Sequence, residues 1–128
     1  MDQDAYRSYH AINLSAQTAQ ASPVQLVIVL MDGLLEELAR ARAHIEAKRY
    51  ELKANSLDKC INILNGLSSA LNADTPNEVV NNLGQLYDYC AQQLYQAGVR
   101  LDAALVDEVS KLITTLRGGW QSVQAQGN

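Results

Sequence analysis

The segment 22–45 constrains the fold most, because it predicts a long helix whose first half is apolar on nearly every side. Ser22 and Gln25 form a capping box at its start. At about 100° per residue, Ile28 and Val29 lie well away from the main apolar face. The first half of this helix therefore needs a second cover in addition to an ordinary core. The main face consists of Val27, Leu30, Met31, Leu34, Leu38, Ala41 and Ile45.

Three further helical patterns follow the first one. The second begins near Leu52, and a capping box from Thr75 to Glu78 starts the third. Gly98 is expected to end the third helix, and Asp102 to cap the fourth. Within each pattern the apolar residues share one face, as packed helices require. These residues are Leu57, Cys60, Ile61, Leu64, Leu67 and Leu71, then Val79, Val80, Leu83, Leu86, Tyr87, Cys90, Leu94 and Ala97, and last Leu105, Val106, Val109, Leu112, Ile113, Leu116 and Trp120.

Long helices with short connectors, and no strand-like alternation, predict an all-α fold. We expect an antiparallel up-down four-helix bundle with a short N-terminal arm or helix packed across it. The arm is assigned to residues 1–21, the bundle to 22–120 and a flexible polar tail to 121–128. The two glycines before Trp120 weaken the last turn, so packing must hold this side chain in place.

Composition excludes several classes of protein. The 128 residues are 48% hydrophobic and 19% charged, which is typical of a globular domain, and the net charge of −4 argues against nucleic acid as a partner. The longest apolar run, 26–31, is far too short for membrane insertion, and the polar N-terminus is unlike a secretory signal. We therefore expect a cytoplasmic protein. Cys60 and Cys90 have no motif spacing and are interpreted as buried thiols.

No constellation of residues predicts catalysis. Neither His10 nor His44 follows a glutamate by three residues, as di-iron bundles require, and two histidines without clustered cysteines do not make a zinc site. Glu36 and Glu37 are adjacent and do not face each other, so we interpret them as a solvated helix face. We expect no enzyme activity, no cofactor and no metal. A histidine phosphotransfer domain that uses His44 is the alternative.

Two features favour binding. Tyr6, Tyr9 and Asn13 are spaced so that a helix of one or two turns would present them together, and this segment is either a frayed tail or a binding arm. Tyr89 and Tyr95 lie on the two shoulders of the third helix, where they either cap the core or line a helix-binding groove. Together these features suggest a module that holds the helices of another chain.

Five motifs share their order and spacing with one family, and one of them is the helix start Ala21-Ser22-Pro23-x-x-Leu26. The tyrosine-rich stretch 6–13 comes first, and 30–33 is similar to Leu-Tyr-Asp-Gly, with Met31 in place of the tyrosine. Residues 82–89 are similar to Asn-Leu-x-x-Leu-Tyr-x-Tyr, and 109–120 to a closing helix that ends in Trp. Over almost its whole length the chain resembles the FliS family, the bacterial export chaperones for flagellin.

The resemblance implies a four-helix chaperone in the cytoplasm. It would bind the C-terminal amphipathic segment of flagellin, prevent premature polymerisation and deliver flagellin to the flagellar type III export apparatus, with the export gate as a further partner. Leu83 and Leu86 are equally well explained as core residues. Carried over by motif, the client-binding residues are Tyr6, Tyr9 and Asn13 in the arm and Asn82, Leu83, Leu86, Tyr87 and Tyr89 on the third helix.

Several alternatives stay open at this point. A helical adaptor of the same family that binds another client would show the same motifs. The arm either competes with the client for its site or clasps the bound client. A homodimer formed through Ile28 and Val29 is an alternative cover for the first helix.

Overall fold

The computed structural model describes residues 22–71 and 78–127, which form four α-helices and no strand. The helices are α1 (Pro23–Glu46), α2 (Tyr50–Ser69), α3 (Glu78–Arg100) and α4 (Ala103–Gly127). Each packs against two others, in the cyclic order α1, α2, α3, α4. The prediction of an all-α four-helix bundle is confirmed. The predicted arm at 1–21, residues 75–77 of the predicted capping box and residue 128 lie outside the described residues.

Helix α1 begins with the predicted capping box. The Ser22 hydroxyl accepts a hydrogen bond from the Gln25 backbone N–H at 3.2 Å, and the Gln25 side chain accepts one from the Ser22 backbone N–H at 2.9 Å. The turn to α2 is short, because Lys48 adopts a left-handed conformation with φ of 58°. Such a tight reversal makes α1 and α2 antiparallel neighbours.

Two ion pairs define how α1 and α4 align. Arg42 Nε donates to Asp107 Oδ1 at 2.7 Å, and Arg117 donates to both carboxylate oxygens of Asp32. Asp32 and Arg42 are ten residues apart on α1, and Asp107 and Arg117 are ten residues apart on α4. The earlier residue of α1 pairs with the later residue of α4. The helices therefore run antiparallel with a constant register.

Close approaches between α2 and α3 show the same arrangement. A Cβ added at Gly84 would lie 3.8 Å from Leu71 Cδ1, and one at Gly98 would lie 2.9 Å from Leu57 Cδ1. Gly84 and Gly98 are fourteen residues apart, and so are their partners Leu71 and Leu57. The order of the partners is reversed, so these two helices also run in opposite directions. The sequence predicted that α3 ends at Gly98, but the helix continues to Arg100. The glycine is needed for close packing against α2.

We expect Gly98→Ala to destabilise the protein relative to Gly66→Ala. Both changes favour the helix by about 1 kcal/mol, and at Gly66 no described atom lies within 4 Å of the new methyl group. At Gly98 the methyl group would displace the buried Leu57, at a cost of about 1–3 kcal/mol. Urea denaturation of the two variants tests this. Equal midpoints would show that α2 moves aside without cost.

Helix α4 begins as predicted and ends later than predicted. The Ala104 backbone N–H donates to the Asp102 carboxylate at 3.0 Å, so Asp102 is the cap. The helix continues through Gly118 and Gly119 to Gly127, whereas the sequence predicted a flexible tail from residue 121 onward. Trp120 lies within the helix and packs against the core.

The core contains apolar residues from all four helices, mostly those that the sequence predicted. Ile28 is covered, as the sequence predicted for the first half of α1: it is 8% exposed although its position lies off the main face, and it does not belong to the contiguous core cluster. The register of α1 and α4 places Ile28 level with residue 121, alongside the last turns of α4. The cluster consists of Met31, Leu34, Leu38, Ala41, Ile45, Leu57, Cys60, Leu64, Leu67, Tyr87, Cys90, Leu94, Ala97, Val106, Val109 and Ile113.

Glu37 is a correction. The sequence predicted a solvated side chain, and the structure leaves only 10% of it exposed. Its Oε1 accepts a hydrogen bond from Arg40 at 3.1 Å, and its buried Oε2 has no hydrogen-bond partner among the described residues. The helical wheel explains the error, because position 37 lies on the edge of the apolar face. Burial at this edge depends on a neighbouring helix.

Both cysteines are buried, free thiols, as predicted. Burial raises the pKa of Cys60 to about 12, with a smaller contribution from the nearby Glu37 carboxylate. Burial also raises the pKa of Cys90 to about 11, with Glu108 adding to the effect. Both thiols therefore stay protonated at neutral pH and pack as small apolar groups.

Candidate functional site

The predicted site residues of α3 do not all lie on the same surface. Asn82, Leu86 and Tyr89 recur at spacings of four and three, which places them on one strip of the helix. Asn82 and Tyr89 are exposed, and Leu86 is partly exposed. The structure therefore brings these three together on the surface. Tyr6, Tyr9 and Asn13 lie outside the described residues.

Tyr87 lies in the core. It is 2% exposed and is one of the largest fully buried side chains of the described residues. Burial raises the pKa of its hydroxyl, and a hydrogen bond from the Trp120 side chain acts in the opposite direction. The Trp120 side chain therefore lies near the Tyr87 hydroxyl. This contact joins α3 to α4 inside the bundle.

The two leucines of the motif differ in their surroundings. Leu83 is partly buried and packs against the core cluster. Leu86 is partly exposed and does not pack against that cluster. Of the two interpretations that the sequence left open, core packing therefore describes Leu83, and a surface position describes Leu86.

A polar bridge joins the exposed strip of α3 to α4. The Tyr89 hydroxyl donates to Glu108 Oε1, and Gln93 Nε2 donates to Glu108 Oε2 at 3.4 Å. The bond to Glu108 is the main reason why the pKa of Tyr89 is raised. The interface between α3 and α4 is also less extensive than the other three interfaces between neighbouring helices of the bundle.

We call the surface around this bridge the α3–α4 face. On α4 it contains leucines one turn to either side of Glu108, and these leucines are partly exposed while packing against the core. Apolar side chains thus flank a fixed carboxylate on a surface open to solvent. The face consists of Asn82, Leu86, Tyr89 and Gln93 on α3 and of Leu105, Glu108, Leu112 and Leu116 on α4.

Sequence reasoning did not single out Glu108 or the pair of Asp32 and Arg117. Nothing local identifies Glu108, because its partners lie on another helix and are neutral. Asp32 and Arg117 each belong to a motif that the sequence had marked, one on α1 and one on α4. Their opposite charges within two such motifs were a signal that could have suggested the pairing.

Other exposed apolar side chains lie away from this face. Tyr95 and Val99 are 64% and 65% exposed and occupy the side of α3 that faces away from α4. Of the two shoulder tyrosines, only Tyr89 therefore belongs to the α3–α4 face. Tyr95 provides a matched residue outside it.

The remaining candidates for chemistry are few. His44 is partly exposed near the end of α1, and its Nδ1 accepts a hydrogen bond from Arg49 Nε at 3.0 Å. Residues 22–71 and 78–127 contain no group of three potential metal ligands. Within the same part of the chain, the helices are too short or too polar to cross a membrane.

A helical bundle with partly exposed leucines along one interface is an architecture suited to holding other helices. Comparison with known proteins agrees with this class. The family described as "Flagellar protein FliS" matches residues 5–127. The chain therefore belongs to the FliS family, as its motifs predicted.

Relatives with curated names match nearly the whole chain. The flagellar secretion chaperone FliSB of Pseudomonas aeruginosa is 35% identical over 119 residues, which is 93% of this chain and 94% of that protein. The flagellar secretion chaperone FliS of Salmonella typhimurium is 33% identical over 123 residues, or 95% and 91% of the two chains. A crystal structure described as a flagellar chaperone from bacteria has a TM-score of 0.77 at 17% identity, covers 98% and 99% of the two chains, and supports the fold.

Proposed function

We propose that this protein binds the C-terminal amphipathic segment of flagellin in the cytoplasm, prevents its premature polymerisation and delivers it to the flagellar type III export apparatus. Membership of a family whose relatives are named flagellar secretion chaperones supports this proposal. The observation that carries it is the α3–α4 face, where partly exposed leucines and the exposed Tyr89 lie along one interface of the bundle.

The proposed mechanism is the docking of a client helix on this face. An amphipathic helix that polymerises through its apolar side must have that side covered before export. Leu86 and Tyr89 would be the α3 anchors, with Asn82 at the polar edge and Leu83 beneath them. Tyr87 supports the surface from the core. Tyr6, Tyr9 and Asn13 in the arm are proposed as additional contacts, and delivery implies a contact with the export gate.

Calorimetry with a synthetic flagellin C-terminal peptide tests the function directly. We expect saturable binding, with the negative heat-capacity change that accompanies apolar burial. Tyr89→Ala should weaken binding by about fivefold or more, because a few aromatic anchors carry most of the energy of such interfaces. Tyr95→Ala is the matched control, with the same residue type on another side of α3, and should leave affinity unchanged. Equal losses for both variants would place the binding surface elsewhere.

A deletion of residues 1–14 tests the arm in the same assay. Higher affinity would show that the arm competes with the client, and lower affinity would show that it clasps the client. If the intact chain fails to bind the peptide at tens of micromolar, the flagellin proposal itself is wrong, and a search for another client of this bundle becomes the next step.

A further inference from the structure

We infer that Glu108 is a specificity residue of the α3–α4 face and selects a client helix that carries a lysine or arginine beside its apolar stripe. This inference rests on the proposed function, since it concerns the chemistry of the segment that binds there. It assigns to Glu108 a role that the family motifs in the sequence did not suggest.

The charge environment of Glu108 differs from that of the carboxylates at the α1–α4 interface. Asp107, the preceding residue, pairs with Arg42 at 2.7 Å, and Asp32 pairs with Arg117. Glu108 has two hydrogen-bond donors, Tyr89 and Gln93, and both are neutral. Within the part of the chain that the structure describes, no cation lies at ion-pair distance from Glu108. Among the described residues, the Glu108 carboxylate therefore makes hydrogen bonds but no ion pair.

The two neutral donors hold this charge in place. One donates to each carboxylate oxygen, so the side chain is fixed between α3 and α4 and cannot turn freely into solvent. Because a carboxylate oxygen has two lone pairs, each can still accept a further hydrogen bond. A basic side chain arriving from solvent would find an acceptor that is already oriented.

The neighbouring side chains determine what kind of molecule can bring this cation. Leu105 and Leu112 lie one turn to either side of Glu108 on α4, and Leu86 lies one turn from Tyr89 on α3. All three leucines are partly exposed. A small cation or a polar loop would leave them uncovered. An amphipathic helix covers them with its apolar stripe and places a flanking lysine or arginine at the carboxylate.

Desolvation by the docked helix strengthens the attraction. Apolar contacts on both sides remove water from around the ion pair, which lowers the local dielectric constant and increases the Coulomb energy. The carboxylate already acts over a distance, since it adds to the increase in the pKa of the buried Cys90. A client without the basic residue would bury the carboxylate without a counter-charge and would bind more weakly.

The test measures binding of the flagellin C-terminal peptide to the full chain at several salt concentrations. Glu108→Gln keeps the shape of the side chain and a hydrogen-bond acceptor for Tyr89, but removes the charge. We expect affinity to fall by about three- to tenfold at low salt. The salt dependence of binding between about 50 and 500 mM should also become weaker in this variant.

Asp88→Asn is the matched control for the loss of one negative charge. Asp88 is exposed and precedes Tyr89, but it points away from the α3–α4 face. It should reproduce neither the loss of affinity nor the change in salt dependence. Tyr89→Phe removes the bridging hydroxyl, which orients the carboxylate, but keeps the Glu108 charge, so it should reduce the salt dependence less than Glu108→Gln does.

Three results would overturn the inference. The first is wild-type affinity and salt dependence in Glu108→Gln. The second is an equal effect of Asp88→Asn, which would show that only net charge matters. The third is an equal loss of salt dependence in Tyr89→Phe, which would show that the bridge and not the charge is required. Absence of binding by the wild-type chain is a different result, because it rejects the flagellin proposal itself.

Discussion

Replacing Tyr87 with alanine should lower the free energy of unfolding by about 3–5 kcal/mol, because the change removes a large, fully buried aromatic side chain. It also removes the contact between this side chain and Trp120 of α4. A truncation of this size leaves a cavity that rigid helices cannot close completely. The expected result is a large fall in the urea midpoint, measured by far-ultraviolet circular dichroism.

Tyr89→Ala is the control for this prediction. It is the same substitution two positions along α3, on a side chain that is 45% exposed, and should move the urea midpoint far less. Tyr87→Phe separates the hydroxyl from the ring and should cost about 1 kcal/mol. If Tyr87→Ala and Tyr89→Ala shift the midpoint equally, Tyr87 is not a core residue.

This contrast matters for the interpretation of binding data. Both tyrosines belong to one motif, and a variant of either could lose client binding. A loss of binding in Tyr87→Ala would follow from unfolding of the bundle, whereas a loss in Tyr89→Ala would report on the surface. Stability must therefore be measured beside affinity for each variant.

Replacing Glu37 with leucine should raise the free energy of unfolding by about 1–3 kcal/mol. The side chain is only 10% exposed, and Oε2 has no hydrogen-bond partner among the described residues. Burying a polar atom without a partner is unfavourable, and an apolar side chain of similar size removes this cost. Arg40 would lose its partner, but it is 56% exposed and can be solvated.

The neighbouring Glu36 provides the matched control. It is exposed on the same turn of α1, so Glu36→Leu should change the free energy of unfolding by no more than about 0.5 kcal/mol. Thermal and urea denaturation of the two variants against the wild-type chain gives the comparison. A lower midpoint for Glu37→Leu would mean that the carboxylate stabilises the α1–α2 interface, contrary to our reasoning.

The register of the bundle explains how separate motifs act together. Asp32 lies in the motif at 30–33 and Arg117 in the closing motif, and the structure joins them by an ion pair between α1 and α4. Met31 fills the position where the family motif has a tyrosine and is fully buried. The substitution is therefore accommodated inside the core, where an unbranched side chain adapts to irregular space.

The sequence by itself determined the presence of four helices and the N-terminal caps of α1 and α4, because these depend on interactions between residues close together in the chain. The capping box at Ser22 and the cap at Asp102 form as predicted, since each needs only a side chain and a backbone N–H within a few residues. The apolar faces follow in the same way from the 3.6-residue repeat. The family could also be identified from motifs alone.

The tertiary structure decided which edge of each face is covered. Ile28 and Glu37 lie off or at the edge of the α1 face, and both are buried. Tyr87 and Tyr89 are two residues apart, yet one enters the core and the other faces solvent beside Glu108. The position of a residue on a helical wheel is local, but the neighbour that covers it comes from a distant part of the chain.

Neighbouring helices also determine the role of Gly98 and the different partners of two adjacent acidic residues on α4. Gly98 resembles a helix end in the sequence, and only the proximity of Leu57 shows that it is a packing position. Asp107 and Glu108 are adjacent acidic residues on α4, yet one is paired with an arginine of α1 and the other is held by neutral groups of α3. Which helix lies on each side is set by the topology of the bundle, and that topology brings residues of α3 and α4 together on the α3–α4 face.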